Sequence, residues 1–223
     1  MNIFYKIYCL VYPERCPYCG EIIKSEHIAC DSCTEKLDEL QKPIYRGAYG
    51  YRCVSSFVYG GLVRRMILRI KYYERIQYLP QIAVILAKDI RAAYGDIQFD
   101  YLSAVPMHKK DLKTRGYNQA KLLAIELSKQ LGIPYADTLQ KVKHTKKQQR
   151  LKYQQRKKNL VGAFALIDKE AVKGKRILMI DDIITTGITL GTCCKVLNRA
   201  KPELICCATI ANANKKYPDR VVI

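Results

Sequence analysis

Apolar and polar positions along the chain alternate between two periods. Short apolar runs bounded by turn residues read as buried strands, and stretches with apolar residues three and four apart read as helices. The clearest unit is Arg176 to Leu190. Its run Ile177-Leu178-Met179-Ile180 has the look of a buried parallel strand, and Asp181 and Asp182 close it. A turn of Thr185, Thr186, Gly187 and Thr189 leads into a helix from Gly187 to Ala200, with Leu190, Cys193 or Cys194, Leu197 and Ala200 facing inward. Pro202 separates that helix from Leu204 to Ala211, another buried strand, on which the adjacent Cys206 and Cys207 must point to opposite faces.

Upstream, Ser55 to Tyr59 reads as a strand. Gly60-Gly61 turns the chain into a helix with Leu62, Met66, Ile67 or Leu68, and Ile70 on its apolar stripe. Its other side carries Arg64, Arg65, Arg69 and Lys71, either a solvated face or one wall of an anion site. A second helix spans about Leu79 to Tyr94, buried through Ile82, Ile85 or Leu86, and Ile90. Phe99 to Val105 is expected to be the first strand of the main sheet. It runs into Pro106-Met107-His108 and a basic loop of Lys109, Lys110, Lys113 and Arg115. The next helix carries Ala120, Leu123, Leu127 and Leu131 on one face and stops at Gly132 and Pro134. Strands alternating with helices predict an α/β fold with a parallel sheet, whose ligands sit beyond the carboxyl ends of the strands.

Two of those strand ends suit an anion. The Gly/Thr turn after Asp182 offers backbone N–H groups and hydroxyls to a phosphate, and the paired carboxylates suit sugar hydroxyls or a metal ion. The same residues could instead cap a helix. Together they fit a phosphorylated ribose. The loop after Val105 would be a second anion-facing turn. His108 in it is either an acid–base group or incidental.

Charge enlarges this picture. The 223 residues carry 39 Lys and Arg against 20 Asp and Glu, a net charge of +19. Such an excess points to a polyanionic partner: nucleic acid, a phosphorylated ligand or an acidic membrane surface. Thr138 to Ile167 contains no acid. Lys141, Lys143, Lys146, Lys147, Arg150, Lys152, Arg156, Lys157 and Lys158 are interleaved there with Gln148, Gln149, Gln154, Gln155, Asn159 and Tyr153. A mobile basic loop over about 138–162 is expected, serving as a single-stranded nucleic-acid contact, as a lid over a pyrophosphate, or simply as solvated surface.

Cysteine changes the organisation. Of ten cysteines, four form Cys16-x-x-Cys19 and Cys30-x-x-Cys33. Two such knuckles complete the four-sulfur cage that structural zinc prefers, and zinc would fold a piece too small for its own core. A redox Cys-x-x-Cys would need a surrounding βαβ pattern, which is missing. His27 is read as a surface residue, and Cys9 and Cys53 as lone core cysteines. This divides the chain into a zinc-binding segment over 1–45 and an α/β domain over 46–223. No apolar run approaches the roughly 20 residues of a membrane span. Lys6 interrupts the apolar amino terminus, which also lacks a small-residue cleavage site, so no signal peptide is expected. Close Cys pairs read as metal ligands rather than disulfides imply a reducing compartment, so a cytoplasmic location is expected.

The ordered blocks resemble the ComF (ComFC-like) family, which joins a short zinc finger to a type I phosphoribosyltransferase-like domain. They are the double Cys-x-x-Cys, YGGLVRRMILRIKY (Tyr59 to Tyr72), VPMH (Val105 to His108), RGYNQA (Arg115 to Ala120), T-x-x-Q-x-x-L (Thr145 to Leu151), R-x-x-N-L-x-G-A-F (Arg156 to Phe164) and DDIITTG (Asp181 to Gly187). By this resemblance Asp181 and Asp182 would hold the ribose hydroxyls of phosphoribosyl pyrophosphate (PRPP). Thr185, Thr186, Gly187 and Thr189 would cradle its 5′-phosphate, and the loop at Val105 and Pro106 would lie beside its pyrophosphate with Mg²⁺. Lys71 and Arg115 join this expected binding set. Lys146, Lys147, Gln148, Arg150, Arg156, Lys157 and Lys158 would belong to the lid or nucleic-acid loop. Where family members usually have arginines before T-x-x-Q, this chain has Lys141 and Lys143, which keep the charge without the planar fork.

The resemblance implies handling of single-stranded DNA in natural transformation, with DNA-uptake proteins as partners. Two other readings stand beside it. One is an active phosphoribosyltransferase that passes ribose 5-phosphate to a nucleobase or amine. The other is a zinc-ribbon nucleic-acid adaptor with a degenerate ligand site, against which the intact DDIITTG argues. No dedicated general base and no acceptor pocket are legible.

Overall fold

The computed structural model describes residues 13, 15–23, 29–41, 43–48, 50–73, 75–145, 155 and 158–213. Its centre is a five-stranded sheet in the order β1-β2-β7-β6-β3. The strands are β1 (Ile44–Ala48), β2 (Tyr51–Val58), β3 (Tyr101–Ala104), β6 (Arg176–Ile184) and β7 (Leu204–Asn212). β1 and β2 form an antiparallel hairpin, and every other pairing in this sheet is parallel.

The Phe99–Val105 stretch is therefore not where the main sheet begins. β3 is a short outer strand against β6, and the sheet starts in sequence with the β1–β2 hairpin. β2 is an interior strand, because on the side away from β1 Cys53 to Val58 pair in parallel with Cys207 to Asn212. It is covered on both faces, so Cys53 through Phe57 are all buried and show no two-residue alternation.

The alternation is clear where it separates two cores. Leu178, Ile180, Cys206, Ala208 and Ile210 face a layer of helices α2 (Gly61–Tyr72), α3 (Leu79–Tyr94) and α5 (Gln119–Leu131). Ile177, Met179, Ile205 and Cys207 face α6 (Ile188–Asn198) on the opposite side. Cys206 and Cys207 thus do point to opposite faces. The apolar stripes are close to those read from the sequence: Leu62, Val63, Met66, Ile67 and Ile70 on α2, and Ile82, Leu86 and Ile90 on α3. Ile67, not Leu68, faces the core.

Two local expectations change. The basic loop after His108 is a helix, α4 (Lys109–Arg115). It buries none of its residues and so carries no apolar stripe to betray it. Its ends hold it instead: the His108 side chain accepts the Lys110 N–H, and Gly116 closes it in the left-handed conformation at φ 86°. The stretch expected as a loop over about 138–162 begins as a strand, β4 (Leu139–Lys141), which pairs antiparallel with β5 (Phe164–Leu166).

Ahead of the sheet stands α1 (Asp31–Leu40). Cys16, Tyr18, Ala29, Cys33 and Leu37 belong to the same continuous core as Val63, Met66 and Ile70. The cysteine-rich segment is packed onto α2. No described helix is long and apolar enough to cross a membrane.

Candidate ligand site and metal knuckle

A cavity of about 520 Å³ opens beyond the carboxyl ends of β2, β3 and β6, the position expected for a ligand in such a sheet. Its floor is Asp181 and Asp182. β6 does not stop at these carboxylates, because its ladder with β7 continues through Ile184, opposite Asn212. Both acids lie within the strand, with Thr185–Gly187 as a separate turn before α6.

Asp182 Oδ2 is paired with Lys71 Nζ at 2.6 Å, both side chains largely buried. Asp181 Oδ1 accepts the Asp182 N–H at 2.9 Å. Burial, and then the neighbouring Asp182 charge, hold the Asp181 carboxyl well above the usual carboxylate range. Burial pulls Lys71 down, but the Asp182 charge and hydrogen bond prevail and leave it above its ordinary value. Lys71 is thus a close counter-ion of the acidic pair.

α2 supplies one wall through Arg64, Leu68, Lys71 and Tyr72, which recur at the i, i+4, i+7, i+8 spacing of a single helix face. The segment after β3 contributes Val105, Pro106 and Met107. Its backbone is fixed by Asn118, whose Nδ2 donates to the Val105 carbonyl at 3.0 Å while its Oδ1 caps α5. Arg115 donates to Gln119 Oε1 at 3.1 Å and lies over the Tyr72 ring. The Gln119 Nε2, buried in the wall, has no partner among the described residues.

Of the residues expected from the sequence, Lys71, Val105, Pro106, Arg115, Asp181, Asp182, Thr185 and Thr189 line this one cavity. Thr186 and Gly187 do not. Gly187 is buried at φ 75° and starts α6, and Thr186 Oγ1 accepts the Ile188 N–H at 3.4 Å. Lys146, Lys147, Gln148, Arg150, Arg156 and Lys157 lie outside the described residues, as do His27 and Cys9; Lys158 is exposed.

The sequence reading missed Lys141 as a site residue. Antiparallel pairing of β4 with β5 carries it out of the basic run and into the cavity wall. Burial there pulls it below its ordinary value. Arg64, Lys71, Arg115 and Lys141 then face Asp111, Asp181 and Asp182 across one space. A cavity that places cations around a carboxylate pair can take a ligand with phosphates at its ends and hydroxyls between them.

The thiols of Cys16, Cys19, Cys30 and Cys33 lie within 4.8 Å of one another. The first knuckle turns at Gly20, φ 91°, where the Gly20 N–H donates to the Cys16 carbonyl at 2.9 Å. The second starts α1, with the Cys33 N–H on the Cys30 carbonyl. Burial pushes the Cys16 thiol up, but backbone N–H groups of Cys19, Cys30 and Tyr18 outweigh it and bring it to about 7. Burial and neighbouring thiols push Cys30 to about 11 and Cys33 further up. Four sulfurs that disfavour one another's charge fit a divalent cation, which would hold them together as thiolates and close the coordination shell without an open position.

Arg69 ties this knuckle to the cavity wall. Its Nη2 donates to the Cys19 carbonyl at 2.7 Å and its Nη1 reaches the Cys16 and Pro17 carbonyls, each at 3.4 Å. The four cations on the basic side of α2 therefore go separate ways. Arg64 and Lys71 face the ligand cavity, Arg69 grips the knuckle, and Arg65 is exposed.

The Phosphoribosyl transferase domain family matches residues 114–222, and the Double zinc ribbon domain family matches residues 7–45. Over 195 residues the chain is 31% identical to Competence protein F of Haemophilus influenzae, covering 85% of this chain and 81% of that one. The chain belongs to the ComF family. Other members are DNA utilization protein YhgH of Salmonella typhimurium, 28% identical over 82% of this chain and 78% of its own, and Competence protein ComFC of Bacillus subtilis, 26% identical over 78% and 68%. The ComF fold is here an α/β phosphoribosyltransferase-type sheet with a four-cysteine zinc ribbon docked on its second helix.

Proposed function

We propose that this ComF protein binds PRPP in the cavity over Asp181 and Asp182 and handles single-stranded DNA during DNA uptake, in the cytoplasm. The observation that carries the ligand reading is the shared cavity. It joins the Asp181 and Asp182 carboxylates, Thr185 and Thr189, the segment after β3 and four cations. In this reading Asp181 and Asp182 accept from the ribose hydroxyls, and Thr185 and Thr189 donate to the 5′-phosphate. Arg64, Arg115 and Lys141 meet diphosphate oxygens. Mg²⁺, brought with PRPP, would neutralise diphosphate charge beside the carboxylate pair.

PRPP with Mg²⁺ should raise the melting temperature by several degrees at saturating ligand. Asp181→Asn with Asp182→Asn should abolish that shift. A double variant that still shifts like the wild type would move the ligand elsewhere.

The DNA part rests on the +19 charge, the acid-free basic segment and the relatives' names, two of which concern competence and one DNA utilization. Binding of single-stranded DNA should weaken steeply with salt. Replacing Lys146, Lys147, Lys157 and Lys158 by Ala should flatten that dependence by up to about 0.7 log units for each phosphate no longer neutralised. A salt slope that does not change would remove the segment as the contact surface.

A second reading, transfer of ribose 5-phosphate, is favoured by the same arrangement. An acceptor nitrogen would bond to C1′ as the C1′–O bond to diphosphate breaks, the electron pair leaving with the diphosphate. Cations at the diphosphate end would stabilise that departing charge, without a protein nucleophile. Incubation with PRPP and a panel of bases, assayed for released pyrophosphate, separates turnover from binding.

A further inference from the structure

A second group of side chains able to ligate a metal stands apart from the cysteine knuckle, and one of them, Asp111, lines the cavity. His108 caps α4, Asp111 lies in the first turn of that helix, and His144 follows β4. One ligand atom from each lies within 4.8 Å of the other two. His144 Nε2 is 3.1 Å from Asp111 Oδ1, and the two imidazole centroids are 4.9 Å apart. We propose that His108, Asp111 and His144 form a second metal site, for a divalent transition-metal ion, opening on the ligand cavity through Asp111.

The donor set decides the class of ion. Two imidazoles and one carboxylate suit Zn²⁺, Co²⁺, Ni²⁺ or Mn²⁺, whereas Mg²⁺ prefers oxygen ligands throughout. A simple hydrogen bond between His144 and Asp111 would explain that pair, but it gives no reason for the His108 ring to lie against His144. Metal–ligand bonds of about 2.0–2.2 Å are compatible with the 3.1 Å between His144 Nε2 and Asp111 Oδ1. His144 is exposed, so its ring can turn to bring the set onto one ion.

Three protein ligands leave coordination positions open. Because Asp111 also lines the cavity, those positions are within reach of the phosphate oxygens of a ligand bound there. Lys110 and Lys141 lie close enough to act on His108 and oppose a bare cation. The affinity should therefore fall well below that of a four-thiolate knuckle.

Occupancy has a local signature. His108 Nδ1 now accepts the Lys110 N–H at 3.2 Å. Metal on Nδ1 would take that lone pair, and metal on Nε2 would leave the ring proton on Nδ1. Either way the Lys110 N–H loses its acceptor, and its amide resonance must move.

The test is a Co²⁺ titration of the full-length protein with zinc already in its knuckle and no PRPP present. The wild type should take up one further Co²⁺ per chain, with the weak d–d absorption of nitrogen and oxygen ligands, no thiolate charge-transfer band, and a shifted Lys110 amide. His144→Gln can still hydrogen-bond to Asp111, and His108→Asn can still cap α4. Each should lose at least tenfold in Co²⁺ affinity while melting like the wild type. A wild type that takes up no further Co²⁺, or variants that bind it as tightly as the wild type, would overturn the proposal. The PRPP-induced melting shift, measured with Mg²⁺, reports on the other reading independently.

Discussion

Replacing Cys33 with serine should empty the zinc knuckle and lower the melting temperature by roughly 6–12 °C, the shift expected for a loss of about 3 kcal/mol in a chain of this size. The cost extends beyond the ribbon because the ribbon is part of the main core. Cys33 is 3% exposed and packs in one continuous cluster with Val63, Met66 and Ile70 of α2. Metal-binding energy in such a segment is folding energy, so three sulfurs cannot hold what four held. The loss should also reach the ligand. With the knuckle open, the Cys19 carbonyl no longer receives the Arg69 guanidinium, and Arg69 lies on the helix that brings Arg64 and Lys71 to the cavity. The PRPP-induced shift should shrink along with the zinc content, which metal analysis should put at about one ion per chain in the wild type and near zero in the variant. Gly20→Ala separates the two effects. A Cβ there would stand 2.8 Å from Arg69 Nη2 on a backbone at φ 91°, so it should disturb the grip while all four sulfurs remain. A Cys33→Ser protein that keeps its zinc and its melting temperature would show that the ribbon does not brace the fold.

How far such couplings were legible in the sequence depends on whether they are local. The double Cys-x-x-Cys, the stripes of α2, α3 and α5, and the β6–α6–β7 unit are set by spacing within a single segment, and they appear where the pattern puts them. Asp181 and Asp182 were legible as a pair but not as residues inside a strand. Where β6 ends is decided by its ladder with β7, some thirty residues later in the chain, and not by its own composition. Lys141 was one lysine among many until β5 paired with β4 and carried it into the cavity wall. α4 was illegible for a different reason: a helix that buries nothing has no apolar periodicity, and its caps are its local signal. The division of the basic side of α2 was also out of reach, since Arg64, Arg69 and Lys71 look alike until the ribbon and β6 are packed around them.

Lys71 is where this division has its largest electrostatic consequence. Replacing it with methionine should destabilise the protein by about 3 kcal/mol near neutral pH, the usual cost of removing one partner from a buried ion pair. The lysine stem could be replaced by methionine without leaving a large void, so the loss would be mainly of charge. Asp182 would then stand beside Asp181 with its 2.6 Å counter-ion gone. Two adjacent carboxylates with no cation between them cannot both ionise readily, and Asp181 is already held well above the usual carboxylate range by burial and by Asp182. The sign of the pH dependence follows. An acid whose folded-state pKa is raised binds more protons folded than unfolded, so stability falls as pH rises from the ordinary carboxylate range through the raised value. In Lys71→Met that fall should be steeper and extend further, giving a deficit larger at pH 8 than at pH 5. The wild-type lysine works the other way: its folded-state pKa is raised, so its contribution is full throughout this range and fades only above the normal lysine range, near about 10.4. Adding Asp182→Asn to Lys71→Met should restore most of the stability and flatten the pH profile, because the second charge is then gone. PRPP binding should not return with it, since neither the cation nor the second carboxylate would be present. Melting curves of the four proteins of this cycle between pH 5 and 8 provide the measurement. A Lys71→Met deficit that is independent of pH, or that Asp182→Asn leaves in place, would show that the pair acts by packing rather than by charge.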